Sequence, residues 1–140
     1  MSDKTMYNKF VICLFVVLLP ALVWSSDIGP FYLKKNDLQP YYPAQVKDSY
    51  DAAVDITGAT IYCTMKSLSA GTVKINRQTT GINISDAANG KFEYRWQSGD
   101  TDTVGRYAIE FEINPVSGGK YTVPAGEIAL VQIKESLDTQ

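Results

Sequence analysis

From Gly90 to Ile113, large apolar residues alternate with polar ones: GKFEYRWQSGDTDTVGRYAIEFEI. Phe92, Tyr94 and Trp96 interleave with Lys91, Glu93 and Arg95. Tyr107, Ile109, Phe111 and Ile113 interleave with Ala108, Glu110 and Glu112. Strand side chains point to opposite faces with a period of two, so the pattern predicts two strands, each with one apolar and one polar face. Seven large apolar side chains then need burial on one side. The connector QSGDTDTVG is too long for a two-residue turn. It reads as a corner that takes the chain from one sheet to another.

The rest of the chain from residue 31 onward follows the same period. Residues 31–35, FYLKK, form a short strand candidate. Residues 40–47, PYYPAQVK, are extended, and their two prolines confine them to an edge or a strand start. Residues 48–55 form a polar, hairpin-like loop. In residues 59–65, ATIYCTM, the side chains of Ile61, Cys63 and Met65 share one face. Val73 and Ile75 mark another strand, and Ile82 and Ile84 a further one. DAANG, at 86–90, is a turn, because Asn-Gly tolerates positive φ. NPVSGG, at 114–119, makes a hairpin between the second central strand and residues 120–124. Residues 128–133 form the last strand, and the polar tail is frayed. Eight or nine short strands with turn signals every 8 to 12 residues, and no helical period after residue 27, predict an all-β, Greek-key sandwich.

Residues 1–26 differ in kind. Lys4 and Lys9 precede an uncharged apolar run over 10–24, FVICLFVVLLPALVW, and Ser25, Ser26 and Asp27 follow it. This order describes a secretory signal peptide, with Val23 and Ser25 at the −3 and −1 positions of a cleavage site. The run is shorter than the roughly 20 residues that cross a bilayer comfortably, and Pro20 interrupts it. Three readings stand: a cleaved signal, an uncleaved membrane anchor that contacts lipid through residues 10–24, and a hydrophobic arm that docks on a partner. The division is therefore 1–26 as an N-terminal segment and 27–140 as one β-sandwich domain.

Composition narrows the chemistry. The net charge is −2, and no basic patch is visible, which argues against nucleic acid. Histidine is absent, so the commonest general base and metal ligand are missing and no Ser/His/Asp set exists. Cys13 and Cys63 lie in different kinds of segment and are not expected to pair. Cys63 reads as a small core residue. Asp100 and Asp102 form a D-x-D pattern that suits Ca²⁺; turn initiation and acceptance of backbone N–H bonds at the corner is the stronger reading. Glu110 and Glu112 read as a solvated strand face, with Lys91 and Arg95 as cross-strand partners. Asn83-Ile84-Ser85 fits the glycosylation triplet but falls in a predicted strand. Tyr41 and Tyr42, between Pro40 and Pro43, are candidates for an aromatic contact patch; the alternative is an edge segment packed on its own domain. No enzyme activity, cofactor or metal is expected.

Two resemblances follow from these residues. Residues 102–107, DTVGRY, resemble the tyrosine corner of immunoglobulin-like domains, with Tyr107 as the corner tyrosine and Gly105 permitting close approach. Antibody domains carry a cysteine two residues after the tyrosine, where this chain has Ile109. The segments FYLKKND, VDITGATIYCTMKS and DAANGKFEYRWQSGDTDTVGRYAIEFEI, in this order, resemble the immunoglobulin-like N-terminal domain of phage upper baseplate proteins and related small tailed-phage proteins. The motifs D-[IL]-T-G-A-T and W-x-x-G-D-T-D-x-x-G-x-Y carry that resemblance over residues 31–133. It implies a non-enzymatic virion protein of a tail, baseplate or neck, docking on other virion proteins in several copies. The second reading is a secreted or membrane-anchored bacterial domain at the periplasm or cell surface.

Overall fold

The computed structural model describes residues 29–137. Within them are nine strands: β1 (Phe31–Lys34), β2 (Tyr42–Gln45), β3 (Thr60–Ser67), β4 (Val73–Gln78), β5 (Ile82–Asp86), β6 (Lys91–Tyr94), β7 (Gly105–Asn114), β8 (Tyr121–Val123) and β9 (Ala129–Lys134). The described residues contain no helix. Cys13 and the 1–26 segment lie outside the described residues.

Six strands form one sheet in the order β1-β9-β7-β3-β4, with β8 also paired to β7. Three form the other, in the order β2-β6-β5. The expected corner therefore does change sheets, since β6 belongs to the small sheet and β7 to the large one. The two sheets bury their facing sides in a sandwich-like arrangement. All seven alternating residues of the central stretch are at most 3% exposed. Ile61, Cys63 and Met65 of β3, Val131 and Ile133 of β9, Leu33 of β1 and Ile75 of β4 extend the large sheet's inner face. Phe92 meets Phe111 across the gap with ring centroids 5.0 Å apart, edge to face. Such pairs add about 0.5–1.5 kcal/mol beyond their area burial.

Turn chemistry places the strands. In DITGAT, the Asp55 carboxylate accepts from the Thr57 backbone N–H at 2.8 Å and from its hydroxyl at 2.6 Å. This local turn seats Ile56 in the core just before β3. In DAANG, Asp86 accepts from Asn89, and Gly90 closes the turn at φ 66°. A side chain at Gly90 would stand 2.6 Å from the Val54 carbonyl and 2.7 Å from that of Val46, so only glycine fits.

The expected cross-strand pairing of Glu110 and Glu112 with Lys91 and Arg95 is corrected. Glu110 and Glu112 lie on β7 of the large sheet, whereas Lys91 lies on β6 of the small sheet and Arg95 just beyond its end. Arg95 instead bonds Glu93 at 2.9 Å on its own strand line. Glu112 accepts from Arg77 at 2.7 Å and from Asn114 at 3.0 Å, with Lys120 at 3.4 Å. The Arg77 guanidinium also lies 3.8 Å from the Tyr62 ring centroid. The strand predicted through Trp96 ends at Tyr94. Trp96 remains buried, held by its Nε1 donating to the Pro40 carbonyl at 2.9 Å.

The Arg77 guanidinium, and after it Asn114, hold the Glu112 carboxyl down at about 2, from an ordinary 4.5. A depressed carboxylate contributes stability that is present above 4.5 and lost as pH falls through about 2. Thermal midpoints of wild type should thus fall across this window. In Glu112→Gln the same window should show a shallower fall, with a lower midpoint at neutral pH. Identical pH profiles would mean that the ion pair contributes nothing.

Candidate docking surface

Most polar side chains of the corner motif W-x-x-G-D-T-D-x-x-G-x-Y find a partner within the domain. Asp100 is 6% exposed. Its Oδ2 accepts from the Tyr94 hydroxyl at 2.8 Å and from the Gln97 N–H at 2.7 Å. Burial, and after it the bond to Asp100, pushes the Tyr94 phenol far above its usual range, so it stays a donor. The Thr101 hydroxyl donates to the Asp37 carbonyl at 2.9 Å, and the Asn36 N–H donates to the Thr101 carbonyl at 3.0 Å. Those two bonds tie the corner to the turn after β1. Asp102 turns the other way, to Lys74 of β4 and to Thr103. These contacts hold its carboxyl below the usual range. The Tyr107 hydroxyl donates to the Thr103 carbonyl at 2.8 Å, which is the expected corner bond. A Cβ on Gly105 would stand 3.4 Å from the Tyr107 ring, so the ring lies close against the bare backbone.

Asp100 and Asp102 thus point to different partners and do not converge. Among the described residues, no group of three or more His, Cys, Asp or Glu side chains is placed to hold a metal ion. Cys63 is wholly buried as a free thiol, and burial raises its pKa well above the usual range.

The tyrosine pair is split by the strand period. Tyr42 points inward, 9% exposed, against Phe31 (ring centroids 5.1 Å apart) and Phe111 (5.8 Å). It is a core residue and does not belong to an exposed patch. Tyr41 is half-buried on the outside, with the Arg95 guanidinium 5.3 Å from its ring centroid. Pro43 lies on edge strand β2, as expected of a proline in a strand.

The surface that the sequence reading missed lies at the β8–β9 connector. Val123 pairs with Phe111, and Ala129 pairs with Ile109, so both strands use the same side of β7. Pro124 lacks an N–H and cannot prolong the β8 ladder. The chain leaves β7 there, and residues 124–128 loop out before β9 rejoins it. Ile128 is left 67% exposed on this loop. A slot of about 220 Å³ lies on its inner side, between the sheets, walled by Tyr42, Ala44, Phe111, Val123, Ile128 and Ala129. A hollow of about 180 Å³ lies on its outer side, over Thr64, Lys66, Ala108, Glu110 and Glu127. Pro124 after a three-residue strand was the available signal. It marks an interruption, but the sequence does not show that both halves return to one neighbour.

No protein-family model matches the chain, and no curated protein matches it.

Asp100→Ala removes a buried acceptor and strands the Tyr94 hydroxyl, so a loss of about 2–3 kcal/mol is expected in urea unfolding. Asp102→Ala, on the exposed side, should lose clearly less. Millimolar Ca²⁺ should leave both midpoints in place. A rise with Ca²⁺ that Asp102→Ala abolishes would establish a metal site at the corner instead.

Proposed function

We propose that this chain is a non-enzymatic docking module with an immunoglobulin-like, Greek-key fold, serving in the tail, baseplate or neck of a tailed-phage particle. Strand order supports the fold. Immunoglobulin domains set strands G, F, C and C′ in one sheet and B, E and D in the other. Here β9, β7, β3 and β4 run in the first order and β2, β6 and β5 in the second. The tyrosine sits at the start of β7, the counterpart of strand F, and bonds back into the corner between E and F. Ile109 stands where antibody domains have a cysteine, so side-chain packing holds this part of the core.

The observation that carries the functional reading is the division between frame and surface. The corner motif bonds most of its polar groups to partners within the domain, while Ile128 projects between two hollows on the connector. A fixed frame that presents an apolar crest suits protein–protein contact, in which exposed apolar side chains become the buried centre of an interface. The partners would be other virion proteins, with several copies of the module per particle. A secreted or membrane-anchored surface domain uses the same frame and is favoured by the apolar run over 10–24.

Intact mass and fractionation of the native protein separate the two. A chain near 15.5 kDa that co-purifies with particles at fixed stoichiometry is the expected result. Recovery from the periplasm or envelope, lighter by the weight of residues 1–25, would replace the particle reading with export.

A further inference from the structure

The inner slot lies beside the point where the chain enters the domain. β1 runs parallel to β9, with Phe31 level with Val131. Gly29 lies two residues before β1, and Ala129, two residues before Val131 on β9, lines the slot. Adjacent strands are about 4.8 Å apart, so β1 begins one strand away from β9, whose Ala129 lines the slot. Residues 25–28 alone separate Gly29 from Trp24, the end of the apolar run. The five steps from Gly29 back to Trp24 span at most about 18 Å when fully extended, so the tether is short enough for the run to reach the slot. A tether this short gives an effective concentration on the order of millimolar.

The slot suits side chains and not an added strand. The Val46 N–H donates to the Gly90 carbonyl at 2.8 Å, in line with the β2–β6 register. Alternation then turns the backbone of residues 44 and 42 toward β6 and that of residues 43 and 45 outward, so Gln45 alone of the β2 residues has an N–H on the free edge. Residue 43 is proline, so the free edge offers no N–H there. The walls are largely apolar, and about 220 Å³ exceeds the roughly 150 Å³ of a cavity that takes up benzene. The run over 10–24 supplies uncharged aliphatic side chains beside this space.

We propose that the N-terminal apolar run, where it is retained, folds back on its own domain and seats aliphatic side chains in the slot between β2 and the β8–β9 connector. The segment then acts as an intramolecular plug. This concerns the uncleaved chain and does not depend on the particle assignment.

The test is limited chymotrypsin digestion of the full chain, purified without detergent, with cuts after Phe10, Phe15 and Trp24 mapped by mass spectrometry. Ala44→Trp fills the slot from β2, and Ala129→Glu places a charge in it. Near-ultraviolet circular dichroism checks that each variant is folded, and either folded variant suffices. The expected result is cleavage within the run roughly tenfold or more slower in wild type than in a slot variant, because proteolysis follows the released population. That protection should be the same at high and low protein concentration. Equal rates in wild type and variants would overturn the proposal. Protection lost on dilution would overturn it in favour of exchange between copies. A chain soluble only in detergent would overturn it in favour of a membrane-seated run. None of these outcomes alters the stoichiometry measurement that tests the particle reading.

Discussion

Phe92 of β6 and Phe111 of β7 meet edge to face across the two sheets, 5.0 Å between centroids, and that contact fixes how far apart the sheets lie. Strands only a few residues apart in sequence would ordinarily pair side by side. Here both carry an unbroken row of large apolar residues, and facing each other buries both rows together. The chain must therefore leave one sheet and enter the other within the ten residues between Tyr94 and Gly105. The corner meets that demand, and most of the remaining architecture is arranged around it.

Changing sheets takes backbone out of the ladders and leaves polar groups without partners unless side chains supply them. Asp100, Thr101, Tyr107 and Trp96 do so, through bonds to Gln97, Asp37, Thr103 and Pro40. The result is complete: no buried side-chain nitrogen or oxygen among the described residues lacks a partner. A frame satisfied in this way does not need a disulfide between its sheets. It also leaves both aspartates of the motif bonded to neighbours, Asp100 inside and Asp102 at the surface, while on β3 burial keeps the Cys63 thiol protonated.

The open edges are managed separately. β1 and β2 are four residues long, β2 carries Pro43, and the pairings of β4 and β5 contain register shifts. Short, proline-bearing or bulged edges resist pairing with other chains. At the β8–β9 connector the chain stands clear of the ladders, because β7 accepts two strands on one side, and Ile128 is left exposed there.

Period-two alternation carries much of the fold: the all-β class, the strands around residues 31–35, 59–65 and 107–113, the inward set Ile61, Cys63 and Met65, and the change of sheet after Trp96. The corner bond of Tyr107 was legible as well, because a tyrosine corner is a local device whose parts lie within a few residues of each other. Partner choice was not legible. Glu112 finds Arg77, and Trp96 finds Pro40, across separations of 35 and 56 residues. Alternation says which face a residue takes, but not which strand lies beside it. For the same reason the sequence left open whether Tyr41 and Tyr42 form a contact patch or pack on their own domain. Neighbours in a strand face opposite ways, and only the second sheet's position decided that Tyr42 is the one inside. The slot at Ile128 is a product of tertiary structure alone, since it exists only where β8 and β9 return to the same side of β7.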